Sequence, residues 1–410
     1  MSPFFRRRVP VPVVLLAALV LLVAACSSSG SKNQATTGSG SASVSSPTSP
    51  SSSVPSVTVV PGMPPVINPN NIYSEQNVGM LSDAVKGHRE LVYVPNGISN
   101  DISVIDPKTF QVIATYKAEA EPQHIVPSWD LKTLWELNNQ GNSLIPIDPV
   151  TGELGTRIPV DDPYNLYFTP DGKAAVIVAE ALKRLDYRDP QTMELQSSLP
   201  TPECAGINHA DYSIDGTYAL FTCEFAARMA KIDIVNRKVL GILDMPGTSP
   251  QDVRAGPDGK TFYVADIRTN GVYTIDGDSF TQTGFIPTGV GAHGLYPSRD
   301  GKVLYVANRG NTVAGNNPPG GPGSVSVVDF ATNKVIATWE VPGGGSPDMG
   351  NITADGTQLW LAGRYDDEVY VFDLVKGGLL TRIPVGDAPH GLTVWPQPGR
   401  YSLGHTGNMR

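Results

Sequence analysis

One unit recurs along this chain: a polar lead-in, a short strand, a turn built on Asp-Gly, and an apolar strand that ends in a polar residue. It is clearest at 291–310, GAHGLYPSRDGKVLYVANRG. Related copies are QHIVPSWDLKTLWELNN from 123, YNLYFTPDGKAAVIVAE from 164, NHADYSIDGTYALFTCE from 208, QDVRAGPDGKTFYVADI from 251 and DMGNITADGTQLWLAGR from 348. Before them ELVYVPN at 90–96 is a second strand without its first, which brings the copies to seven. Each is followed by one or two further strands, such as DISVID, where Ile102, Val104 and Asp106 share one face. Four short strands per unit, at a period of about 40–55 residues, are the mark of propeller blades rather than of a sandwich.

The predicted fold is all-β: a seven-bladed β-propeller of four-stranded blades. Its closure is legible at the two ends of the array. The first copy lacks its first strand, and PHGLTVWP at 389–396 is a spare one, so the C-terminal strand completes the first blade. RYSLGHTG at 400–407 has no place left in the ring and is expected as a tail packed on the outside.

LYVAN after PSRDGK, followed by SVSVVDFATNKVIATWEV, resembles the YVTN-type, YncE-like β-propeller repeat over roughly 90–396. The resemblance implies the fold and leaves the activity open, since such propellers bind, scaffold or host catalysis. Relatives in the wider superfamily include the propeller domain of nitrous-oxide reductase, which holds copper through histidines, and the selenium-binding proteins, linked to thiol oxidation. Neither ligand pattern can be laid onto this chain residue by residue.

The segment before the repeats reads as export and attachment. Arg6, Arg7 and Arg8 precede an apolar run, Val11 to Ala25, and Val23-Ala24-Ala25-Cys26 resembles a bacterial lipobox. Residues 1–25 are then a lipoprotein signal peptide and Cys26 the lipidated residue. Ser-rich residues 26–60 are a disordered tether, 61–89 an extended lead-in with one helical turn within Met80 to Lys86, and 397–410 a C-terminal tail. The expected location is the cell membrane, lipid-anchored and facing the extracytoplasmic side. A net charge of −9 argues against nucleic acid as a partner.

Of six histidines, four occupy one place in the repeat, just before the first strand: His124, His209, His293 and His390. Other blades put Asn165, Asp252 and Asp348 there. First strands line a propeller's channel, so these residues gather at one mouth. His293, Asp348 and His390 stand one residue further from the turn than the rest, and adjacent strand residues face opposite sides, so the set is not expected to point one way. Second-strand ends reach the same face and add Asn96, Asn138, Glu180, Glu224, Asp266, Asn308, Arg309 and Arg364. The Gly/Pro-rich loop 311–323 falls there as a flap.

Two readings of this set stand side by side. A His or Asp at a lead-in locks its blade to the next, as in WD40 repeats. Alternatively the mouth binds a small ligand, a metal or a partner protein. His124, His209, His293 and His390 are then the candidate metal ligands, with copper or zinc the ions that imidazole and carboxylate suit. A metal-dependent extracytoplasmic oxidoreductase is the alternative function, although no G-x-S-x-G, H-E-x-x-H or Walker pattern occurs. Cys204 and Cys223 flank an antiparallel strand pair in the fourth blade and are expected to form a disulfide in an oxidising compartment.

Overall fold

The computed structural model describes residues 56–310, 323–405 and 407–410. The signal segment, Cys26 and most of the tether lie outside the described residues, as does nearly all of the 311–323 loop. Seven antiparallel sheets of four strands form the ring. Blade one is closed as expected: Thr393–Trp395 is its innermost strand and pairs with Leu91–Asn96, Leu91 opposite Trp395. The other innermost strands are Pro122–Pro127, Pro163–Phe168, Ile207–Tyr212, Pro250–Ala255, Ala292–Pro297 and Pro347–Ile352, for blades two to seven.

The repeat explains the local structure. At Asp171-Gly172-Lys173 the Asp171 carboxylate accepts from the Thr169 hydroxyl (2.6 Å) and the Lys173 N–H (3.2 Å), and Gly172 takes φ +70°. A side chain there would strain the backbone, and its Cβ would stand 2.7 Å from the Trp129 ring. Between turns, alternation sends one row of each middle strand into the neighbouring blade. The apolar core is accordingly split into seven clusters, one per blade interface. The cluster joining Val92, Val94 and Ile105 to Trp360, Val369 and Val371 seals blade seven against blade one.

The tail departs from expectation. Residues 397–410 do not pack on the outside; they enter the channel from the face opposite the mouth. Gly404 pairs with Tyr167 of blade three, the Phe168 N–H donates to Leu403 O (3.0 Å), and the His405 N–H donates to Leu166 O (3.0 Å). A Cβ on Gly404 would meet Leu166 O at 2.4 Å, so only glycine lets the backbones come this close. Arg410 reaches Asp211 (2.5 Å). The lead-in crosses the same face: the Ile72 N–H donates to Pro257 O, the Tyr73 hydroxyl to Ala255 O, and Gln76 Nε2 to Met409 O (2.5 Å). Its single turns are 3-10, at Ser74–Gln76 and Asp83–Val85. Lead-in and tail together floor the channel, and among the described residues nothing closes the other end.

Candidate functional site

Six of the seven innermost strands carry a register shift at the lead-in, between Pro122 and His124, Pro163 and Asn165, Ile207 and Ala210, Pro250 and Val253, Ala292 and Leu295, and Pro347 and Gly350. A bulge lets successive residues escape strict alternation. The one-residue offset seen in the sequence therefore does not turn some of the set away from the channel. It stacks them in two layers.

The upper layer is His293, Asp348 and His390. Arg309, at the end of a second strand, grips Asp348 with two bonds, Nε to Oδ1 (2.8 Å) and Nη2 to Oδ2 (2.9 Å). His293 Nδ1 stands 2.7 Å from Oδ1 and His390 Nδ1 3.1 Å from Oδ2, in ion-pair reach but out of line for hydrogen bonds. The Tyr164 hydroxyl lies 3.4 Å from His390 Nε2.

The lower layer is His124, Asn165, His209, Asp252 and one residue that sequence reasoning missed, His405 of the tail. Its ring centroid is 4.6 Å from that of His209 and 4.9 Å from that of His124. The Asn165 amide nitrogen sits 3.3 Å from His209 Nδ1 and 3.1 Å from His405 Nδ1. His124 is also 5.0 Å from His390, centroid to centroid, which joins the layers. Gly391 makes this possible, since a Cβ there would fall 1.9 Å from His124 Nδ1. Asp252 behaves as a blade lock as well: Oδ2 accepts the Leu295 N–H of the next blade (2.9 Å) and Oδ1 the Val253 N–H (2.9 Å). The two readings of the lead-in set thus divide by residue, with the histidines facing one another across the channel and Asp252 also tying blade five to blade six.

Every ring is buried, none more than 2% exposed. Burial pushes the basicity of His124, His209 and His405 well below the ordinary imidazole value, with neighbouring imidazoles and guanidinium groups adding to it. Burial, then Arg364, takes His390 down to about 3. These side chains are neutral at pH 7. Burial pushes the Asp252 carboxyl up to about 6 against the pull of Arg254. At Asp348 burial acts in the same upward direction, but Arg309 and the two imidazoles outweigh it and hold the carboxyl well below the usual range. Among the described residues, neither ring nitrogen of His124 has a hydrogen-bond partner, and neither does His209 Nε2.

Above the histidines the mouth widens into a funnel of about 620 Å³. Glu121, Glu180 and Glu224 line it from blades two to four, and Arg309 and Arg364 from blades six and seven. Asn208 Nδ2 bridges Glu224 (3.0 Å) and Glu180 (3.4 Å), and burial with the Glu224 charge pushes Glu180 up to about 8. Asp266 does not line the funnel; its oxygens accept the N–H groups of Ser249, Arg268 and Thr269. Asn96 and Asn308 are likewise turned into their own blades, onto Ser103 and onto Ser324 and Ser326. Below the Glu224 rim, Cys204 and Cys223 are joined as a disulfide with a Cα separation of 4.8 Å.

A ring of four-stranded blades with a channel of this kind defines a β-propeller with a buried polar cluster inside its channel. The YncE-like β-propeller family model matches residues 54–398, and the chain belongs to that family. Similar solved structures include a functionally unknown protein from Desulfotomaculum acetoxidans (15% identity, TM-score 0.62, covering 74% of this chain and 98% of the other). They also include Kuenenia stuttgartiensis hydrazine synthase (20%, TM-score 0.55, 65% and 87%) and the dihydro-heme d1 dehydrogenase NirN (13%, TM-score 0.56, 77% and 76%). At these identities the likeness is one of fold. No curated protein matches the chain in sequence.

Proposed function

We propose that this protein is a binding propeller, held outside the cytoplasmic membrane through Cys26, whose channel takes up a transition-metal ion from the open mouth. One observation carries the reading: five neutral, buried imidazoles converge with two carboxylates at the bottom of a polar funnel. Imidazole nitrogen and carboxylate oxygen are the donors of zinc and copper(II) sites, and metal binding needs the neutral ring. Ligands on opposite sides of a wide channel cannot meet one ion. Here the neighbouring ring centroids are 4.6–6.3 Å apart, which supports convergence on one ion. Asp348 beside two Nδ1 atoms is the kind of carboxylate that orients ligand histidines. The funnel directly above has room for a small molecule, which favours metal-dependent redox chemistry as the second reading.

The test is calorimetric titration of chelator-stripped protein with Zn²⁺ and Cu²⁺, beside melting curves. A saturable uptake that raises the melting temperature is expected. No heat and no change in melting would overturn the reading. The location is tested by Cys26→Ala, which should release the protein from membranes or leave the precursor uncut. Processed mutant protein still sedimenting with membranes would sink the anchor.

A further inference from the structure

The geometry points to a specific ion site in the lower layer, completed by the tail: His209, Asp252 and His405 as ligands, with His124 beside them. The inference rests on the reading that the channel takes a metal, and it names where and by which residues. Candidate ligand atoms of His209, Asp252 and His405 all lie within 4.8 Å of one another. Ligands around a tetrahedral ion with bonds of about 2.1 Å stand about 3.4 Å apart. The set therefore needs to draw in by up to about 1.4 Å, which side-chain rotation supplies. His405 Nε2 already faces Asp252 Oδ1 at 3.9 Å.

A second observation points to the same place. His124 is fully buried, its ring centroid is 4.9 Å from His405, and among the described residues both its nitrogens lack a hydrogen-bond partner. A buried polar atom without a partner costs stability, so a native structure that keeps several in one spot has a reason. The upper layer offers less. His293 and His390 lean at Nδ1 on a carboxylate that Arg309 grips at 2.8 and 2.9 Å, whereas Asp252 has Arg254 at 3.6 Å and the lower layer holds His124, whose two nitrogens lack a hydrogen-bond partner among the described residues. Two nitrogens and one oxygen, with the His124 ring 4.9 Å from His405 centroid to centroid, suit Zn²⁺ or Cu²⁺.

The site also has an unusual construction. Two of its ligands stand on the rigid inner strands of blades four and five, and the third arrives on residues 397–410. An ion bound there fastens the tail into the channel, so metal binding and docking of the tail stabilise one another.

Co²⁺ is the probe, because its visible spectrum reports ligand type and number. The comparison is between wild type, His405→Gln and Asp252→Asn, each with its melting curve. His405→Gln and Asp252→Asn should weaken Co²⁺ and Zn²⁺ binding by about a hundredfold or more and change the cobalt spectrum. Hydrogen exchange on wild type reads the same site without substitution: Zn²⁺ should slow exchange at residues 402–408. If wild type takes up no ion, the functional reading fails. If it binds but His405→Gln retains affinity and spectrum, or exchange in the tail is unmoved by Zn²⁺, this inference is overturned and the functional reading stands.

Discussion

In the upper layer of the channel the buried charge has its counter-charge beside it. Asp348 is held by both arms of Arg309, and two imidazoles lean on the same carboxylate. One layer down, Asp252 is held less closely, by Arg254 Nη2 at 3.6 Å, and both nitrogens of His124 and Nε2 of His209 have no hydrogen-bond partner among the described residues. The difference separates two uses of buried polarity. The upper cluster is charge-compensated at close range and so contributes rigidity; the lower one keeps coordinating capacity at a cost in stability.

The strongest way to break this contrast is Arg309→Ala. It strands a buried carboxylate and should cost about 3–5 kcal/mol of unfolding free energy, read by denaturant melts. A loss under 1 kcal/mol would mean that the upper layer is not charge-compensated as described. A pH series is next in size. The buried rings have folded pKa values below the ordinary 6.5, so the unfolded chain binds protons that the folded protein refuses. The part of the stability these rings carry is therefore full above pH 6.5 and falls as the pH drops, by about 1.4 kcal/mol per pH unit for each such ring, offset in part by Asp252 and Glu180, whose raised carboxyls take up protons in the folded protein. For His390 the fall continues to about pH 3. A flat melting temperature between pH 7 and 5 would contradict this. The smallest effect sharpens the comparison most. His124→Leu removes a ring without partners, so the metal-free variant should melt within about 1 kcal/mol of wild type and show a shallower acid slope. A loss of several kcal/mol would place His124 with the satisfied groups.

Much of this was legible in the sequence, for physical reasons. Asp-Gly turns and alternating strands fix blade number because each blade must bury its faces against its neighbours, and the spare strand at 389–396 fixes the closure. His124, His209, His293 and His390 could be found together because the repeat gives them one address. The bulges that bring their two registers into one channel leave no such mark, since most residue types can adopt them. His405 stands outside the repeat, so periodicity says nothing of it. Its only signal was RYSLGHTG, strand-like in pattern and without a place in the ring, and nothing in that pattern shows that the channel floor is the space available. Asp266 illustrates the opposite error. A polar residue at a strand end looks like a rim group, but the N–H groups of its own turn take the carboxylate first.

The closure of blade one has a consequence in time. Leu91 waits for Trp395, a partner about 300 residues later, and long-range pairings of this kind slow folding. As the chain is made from its N-terminus, six blades can collapse in succession while the ring stays open. The segment that shuts it, 389–396, is followed at once by the segment that carries His405 into the channel floor. The barrel of the propeller and the lower histidine layer are thus finished in one late event. A chain halted a few dozen residues early would expose an unpaired strand edge at blade one and a channel open at both ends, which marks it for aggregation or proteolysis before it can hold a ligand.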